Sequence, residues 1–233
     1  MRALKIAVLA AFLPFGAQAD NLAAGVGVGT LGLELYGSWK MNRHMDVVLG
    51  YSALDYDDTF SETGRSSVKA DATIDAPRIG VQFYPFARSG LFVEGGMVFG
   101  SPNIKVNLLA DDDGNYIVDG DPYSSDPDDG VGAIRGEVGF ANDSAPYALI
   151  GWGRTVGGGL GLNFSLGAIS YGAANAELTT DCTYTLVGGL FNGQNQACTS
   201  VRSALANEEL KIDNDLEEFE LWPFVRVGLS YSF

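Results

Sequence analysis

Along most of the chain, apolar and polar residues alternate one by one, the period of a strand with one greasy and one wet face. Leu31, Leu33, Leu35, Gly37 and Trp39 alternate with Gly32, Glu34, Tyr36 and Ser38. A polar turn, Met41 to His44, separates them from Val47, Leu49, Tyr51 and Ala53. Val68, Ala70, Ala72 and Ile74 alternate with Lys69, Asp71, Thr73 and Asp75, whereas Ile79, Val81 and Phe83 resume beyond Pro77 on the opposite parity. A one-residue bulge at the proline would restore the face. The same pattern predicts strands over about 31–40, 46–56, 68–84, 90–104, 131–140, 146–155, 160–173 and 219–233. In the last of these, Val225, Val227, Leu229, Tyr231 and Phe233 alternate with Arg226, Gly228, Ser230 and Ser232 up to the final residue.

These strands predict an all-β fold, an antiparallel up-and-down transmembrane β-barrel with lipid outside and a polar interior. Eight strands is the first expectation and ten the rival. Single-chain bacterial barrels have an even number of strands, short turns on the periplasmic side and long loops outside. The short turns at 41–45, 85–89 and 141–145 would leave residue 31 on the outer side. A strand within 21–29 repairs the beginning, and another within 174–218 would then repair the parity.

The N-terminal residues read as a signal peptide over 1–19. Arg2 and Lys5 precede an apolar run from Ile6 to Phe15, and Ala17-Gln18-Ala19 precedes a cut before Asp20. Residues 20–233 are then one barrel domain. That apolar run is far short of the roughly 20 residues a spanning helix needs, and no later run reaches that length. With 29 acidic and 14 basic residues, the formal net charge of −15 disfavours nucleic acid as a partner. The content of 31 Gly, 13 Phe and 10 Tyr favours extended, turn-rich structure. A secreted soluble β-sandwich would share much of this composition, with the final strand as a half-buried edge, and is the minor reading.

Gly29-Thr30-Leu31-Gly32, Phe83-Tyr84-Pro85-Phe86, and Pro146-Tyr147 with Gly151-Trp152-Gly153 resemble small OmpW/OmpA-type outer-membrane barrels of Gram-negative bacteria. The stretch from Pro223 to Phe233 is similar to the last strand of a related group, Pro-Val/Phe-x-x-x-Gly-Leu-x-Tyr-x-Phe. The resemblance implies residence in the outer membrane, contact with its lipid, and recognition of the C-terminal strand by the barrel-assembly machinery. Val227, Leu229, Tyr231 and Phe233 carry that signal. It also implies, for an OmpW-type protein, a passive channel for small solutes.

Candidate chemistry is sparse. Glu34, Glu94, Arg135, Glu137, Glu220 and Arg226 fall opposite the apolar face, and a narrow lumen where they pair is cheaper than lipid. The acidic stretch from Asp111 to Asp129 offers weak calcium candidates in Asp111, Asp113, Asp119 and Asp121, but both anchoring ends of an EF-hand are missing. A solvated outer loop is the simpler reading. Cys182 and Cys198, in an exported chain and outside the strands, predict a disulfide across a loop, constraining it by roughly 3 kcal/mol on a chain-entropy model. Between Ser200 and Glu218 the period changes, and Val201, Leu205, Leu210, Ile212 and Leu216 predict a short amphipathic helix before the last strand.

A lipid-modifying enzyme needs a base, and the single histidine, His44, sits in a turn beside Arg43. No catalytic residue, cofactor or confident metal site is expected. The leading expectation is a structural or surface-interaction barrel with a largely plugged polar lumen and an unidentified extracellular ligand. A passive channel is the alternative, and an enzyme comes third.

Overall fold

Eight strands close on themselves into a ring. The computed structural model describes residues 21–60, 67–86, 89–110, 114–118, 121–124, 133–154, 156, 159–181, 194–216 and 220–233. The predicted signal peptide lies outside these residues. In chain order the ring uses β1 (Leu22–Gly29), β2 (Gly32–Asn42), β3 (Met45–Phe60), β4 (Ser67–Phe83) and β5 (Leu91–Phe99). It continues with β10 (Ser144–Gly153), β11 (Gly159–Ser170) and β13 (Leu221–Ser232), which pairs back onto β1. Every pairing around the ring is antiparallel. Closure leaves no ladder edge in the ring, the condition for a sheet in lipid.

Side chains sort by parity. Val26, Leu33, Leu49, Ile79, Leu162 and Leu229 project outward and are exposed, while Glu34, Arg78, Glu94, Ser165 and Arg226 project inward and are buried. This is the reverse of a soluble protein, and an apolar solvent outside is the physical reason to build it. One end of the ring carries both strand termini, Leu22 and Ser232, together with the β2–β3, β4–β5 and β10–β11 turns. It is called the turn end here, and the opposite end the loop end.

At the loop end a second sheet rises from the wall. The upper part of β4 pairs with β6 (Asn103–Leu109), β6 with β9 (Ile134–Phe140), and β9 with β12 (Ala174–Thr180). A small hairpin of β7 (Asn115–Val118) and β8 (Asp121–Ser124), and a helix α1 (Gln194–Leu216), complete this extension. Val201 and Leu205 of α1 pack with Tyr116 and Ile134 in a core separate from that of the barrel. The helix starts earlier than its apolar spacing predicts, and Leu210 is exposed rather than packed.

The ring therefore contains eight strands, but not the eight read from the pattern. The stretch at 21–29 is in the ring as β1, and 131–140 is not. Residues 141–145 were expected to reverse the chain. Instead, β9 and β10 run in the same direction, because β9 is antiparallel to β6, β10 is antiparallel to β5, and both β5 and β6 are antiparallel to β4. Three breaks lie side by side, at Gly100–Pro102, Ala141–Asp143 and Tyr171–Ala173. Across them β5 runs on into β6, β9 into β10, and β11 into β12. Asn142 stitches this crease, its backbone N–H and its Nδ2 both donating to Tyr171 O, at 3.1 and 3.0 Å. Gly100 and Gly172 take positive φ there, 89° and 78°.

The expected bulge at Pro77 is also absent. The β3–β4 register runs unbroken from Met45↔Phe83 through Tyr51↔Pro77 to Phe60↔Val68. Pro77 lies where the other edge of β4 passes from β5, last paired at Arg78, to β6, first paired at Thr73. A missing N–H costs little in that interval. The irregularity in this part of the wall falls instead between Lys40 and Asn42.

Candidate functional site

The middle of the lumen is crossed by four charges. Glu34 comes from β2, Arg78 from β4, Glu94 from β5 and Arg226 from β13, all at inward-facing positions and nearly inaccessible. Arg78 is the hub. Its Nε donates to Glu34 Oε1 at 2.7 Å, and its Nη2 lies 2.6 Å from the same oxygen. Its Nη1 donates to Glu94 Oε1 and, at 3.0 Å, to Tyr147 Oη. Tyr147 Oη in turn donates to Glu94 Oε1 at 2.6 Å, and Gln82 Nε2 donates to Glu94 Oε2 at 2.8 Å. Arg226 is held more loosely, 3.5 Å from Glu34 Oε1 and 3.5 Å from Glu94 Oε2. Two carboxylates and two guanidinium groups balance, and the cost of burying each is offset by the others together with the Tyr147 and Gln82 hydrogen bonds.

Glycines make the room. A Cβ at Gly50 would lie 2.6 Å from Glu34 Oε1, and one at Gly80 would lie 2.0 Å from Tyr147 Oη. Aromatic rings line the charges: Arg226 Cζ is 5.3 Å from the Tyr36 centroid, and Arg78 Cζ is 5.8 Å from that of Phe224. Above the charges Leu31, Ile74, Val98, Ile169, Tyr171 and Phe224 form an apolar layer, against which Phe140 and Trp222 pack. Below them, Tyr84 donates its hydroxyl to Gln82 Oε1 at 3.0 Å, and Arg154 Cζ lies 5.6 Å from the Tyr84 ring centroid. The opposite flank is looser. Ser38 Oγ, Asn163 Oδ1, Ser165 Oγ and Arg226 Nε are buried without a hydrogen-bond partner among the described residues.

Of the charges expected in the lumen, Glu34, Glu94 and Arg226 meet there. Arg135 and Glu137 do not: they lie on the outward face of β9 in the extension. Arg135 Nη2 is 2.7 Å from Asp181 Oδ2 with both side chains about half exposed, and Glu137 Oε1 accepts from Asn103 Nδ2 at 2.5 Å. The pattern places them opposite an apolar face, and it does so correctly, but that apolar face belongs to the extension. Glu220 is exposed just ahead of β13. Arg78 is the hub the reading of the pattern did not single out, although its place opposite Ile79, Val81 and Phe83 gives it the inward parity with or without a bulge at Pro77. It shares parity with Ala76, Gly80 and Gln82.

Val227, Leu229, Tyr231 and Phe233 point outward from the middle of β13 to the turn end, Tyr231 and Phe233 with ring centroids 5.5 Å apart. Asp111, Asp113, Asp119 and Cys182 lie outside the described residues; Asp121 opens β8 and Cys198 lies within α1. His44 is fixed in its turn. Its N–H donates to Asn42 Oδ1 at 2.8 Å, and its Nδ1 lies 2.8 Å from Tyr84 O, which can only accept, so Nδ1 carries the proton. Among the described residues no group of three or more His, Cys, Asp or Glu side chains is arranged to hold a metal ion.

No protein-family model matches the chain, and neither does any curated protein. Two solved structures do. CarO of Acinetobacter baumannii is 21% identical, with 94% of this chain and 100% of that chain covered and a TM-score of 0.58. CarO2 of the same organism is 22% identical, with 92% and 99% covered and a TM-score of 0.55. At such identities the likeness is one of fold: this chain is an all-β, eight-stranded barrel with a helix ahead of its last strand, built like CarO.

Proposed function

We propose that this protein is a bacterial outer-membrane barrel whose lumen is closed, and whose role is structural or one of surface interaction through its loop-end extension. The observation that carries this reading is the buried quartet of Glu34, Arg78, Glu94 and Arg226. It spans the interior between apolar side chains above and Tyr84 below. Eight-stranded barrels have interiors just wide enough for side chains to fill. The exposed apolar positions on every ring strand support a lipid surround. The alternation at Val227, Leu229, Tyr231 and Phe233 supports recognition by the assembly machinery, and residues 1–19 support export. A disulfide between Cys182 and Cys198 belongs to the same proposal, as it requires an oxidising compartment.

A passive channel is the second reading, favoured by the looser flank. Buried polar atoms without protein partners are usually satisfied by water, and Ser38, Asn163, Ser165 and Arg226 supply them along β2, β11 and β13. Catalysis finds less support, since Glu34 and Glu94 are engaged with arginines. The deciding experiment is single-channel recording of the refolded protein in a planar bilayer, with a heat-dependent gel shift as the check on folding. A folded barrel that stays silent supports the closed scaffold. Discrete, reproducible conductance steps overturn it in favour of the channel.

A further inference from the structure

The two ends of the barrel differ in charge. On the outward face of the loop-end sheet, Asp57, Asp71, Lys105, Glu137 and Glu177 stand directly opposite one another across five strands. The turn end is cationic instead: among the described residues it carries Lys40, Arg43 and Arg154, and Asp46 is buried inside. At this cationic end lies a shallow cleft of about 520 Å³ lined by Asn42, Arg43, His44, Met45, Phe83 and Pro85.

Met45 and Phe83 are cross-strand partners on the outward face, so the cleft opens toward the apolar surface and not into the lumen. We propose that this cleft is a binding site for the phosphate headgroup of an anionic phospholipid in the leaflet at the turn end. Arg43 has no carboxylate partner among the described residues and supplies a planar, permanent cation for phosphate oxygens. The His44 ring is held by its Nδ1–H bond to Tyr84 O and lies 6.5 Å, centroid to centroid, from the Phe83 ring, leaving the Nε2 lone pair to accept from a hydroxyl of the headgroup while Arg43 alone takes the phosphate. The acyl chain continues from Met45 and Phe83 along Val47, Val81 and Leu49, of which Val81 and Leu49 are exposed. Trp39, opposite Val47 and more than half exposed, marks the same boundary, since indoles favour the membrane interface. A zwitterionic ethanolamine headgroup brings its own ammonium against Arg43, so the site favours a net negative lipid. The same lipid is repelled at the loop end by the acidic row.

The inference rests on the membrane-spanning reading above. The test is native mass spectrometry of the refolded full chain released from bilayers of equal phosphatidylglycerol and phosphatidylethanolamine with matched acyl chains. The repulsion between Arg43 and the ethanolamine ammonium, which phosphatidylglycerol lacks, predicts about a tenfold excess of the phosphatidylglycerol adduct. Arg43→Gln, in an exposed turn, brings the two adducts to parity, while Lys105→Gln at the opposite rim leaves the excess in place. Equal adducts in the unaltered chain, an excess that survives Arg43→Gln, or an equal loss in Lys105→Gln each overturn the site. Displacement of the lipid by excess inorganic phosphate overturns it as a lipid site. A chain with no heat-dependent gel shift in lipid overturns the membrane reading itself, whereas a shifted barrel with equal adducts overturns only the cleft.

Discussion

Two arginines in this molecule hold a carboxylate at nearly the same distance, Arg78 with Glu34 at 2.6 Å and Arg135 with Asp181 at 2.7 Å. The first pair sits in the lumen with its side chains 0% and 3% exposed, the second on the extension with 52% and 53% exposed. Geometry alone would rank them together, but water separates them. Exposed pairs are screened and gain little, whereas breaking a buried pair strands a charge that has no solvent to turn to. The lumen pair is therefore structural in a way the extension pair is not. The same contrast runs along one strand. Outward positions of β4 are Ile79, Val81 and Phe83 in the barrel and Lys69, Asp71 and Asp75 in the extension, with no change of register between them. The inward positions make the opposite exchange, from Arg78 and Gln82 to Val68, Ala70 and Ala72. The strand keeps its pleat, and the medium on each side changes.

The largest effect expected from breaking this comparison is at Arg78. Arg78→Met leaves Glu34 and Glu94 short of their main partner and should cost about 3–5 kcal/mol of barrel stability. Arg226→Met, which removes longer contacts, should cost less, about 1.5–3 kcal/mol. Arg135→Met should leave the barrel transition where it is. Urea unfolding in lipid, read by the gel shift, measures all three. Equal losses at Arg78 and Arg135 would mean that burial is not what distinguishes them.

A second experiment sharpens the inversion along β4. Ile79→Lys places a cation on the outward face within the apolar band, at a cost of up to about 2–4 kcal/mol depending on depth. Asp71→Lys, on the same face of the same strand eight residues earlier, should fold and insert normally. Comparable defects in both would place the lipid boundary higher than the exposed apolar residues indicate.

These two experiments also mark where the sequence was legible. Alternation sufficed for β2, β3, β5, β10, β11 and β13, because each of those strands faces a single medium on each side along most of its length. It misled at Pro77, where a true exchange of media looks like a slipped register, and that error put Val68, Ala70, Ala72 and Ile74 on the outward face. It misled again at 141–145, where Asn142 and Asp143 have the composition of a hairpin turn. There they form a crease, and the bonds from Asn142 to Tyr171 are between residues far apart in the chain. β1 gives a weak alternation because its inward positions are Ala23, Gly25, Gly27 and Gly29, with no polar side chain to alternate against apolar ones. Their smallness is set by neighbours on other strands: a Cβ at Gly25 would lie 2.3 Å from Tyr36 Cζ. The charged cluster was half legible, since parity shows which side a charge takes but not which of two stacked sheets it belongs to.

The crease itself offers the smallest and most local test, because it is where the two regions meet. Tyr171 is fully buried there, and its hydroxyl donates to Gly100 O at 3.1 Å, tying the start of one break to another. Burial pushes its pKa up from 10.0 to about 12. The folded state then holds the tyrosine proton more tightly than the unfolded chain does, so its contribution is fully present below pH 10 and is lost as pH rises toward 12. Tyr171→Phe removes one hydrogen bond, costing about 1 kcal/mol at neutral pH, and it also removes this alkaline sensitivity. Hydrogen exchange of β6, β9 and β12, compared with that of the ring strands from pH 9 upward, separates the two regions. Faster exchange in the extension alone, with the unaltered chain converging on the Tyr171→Phe profile at high pH, is the expected result. Parallel changes in ring and extension would make the crease an ordinary part of the barrel wall, and the two sheets a single cooperative unit.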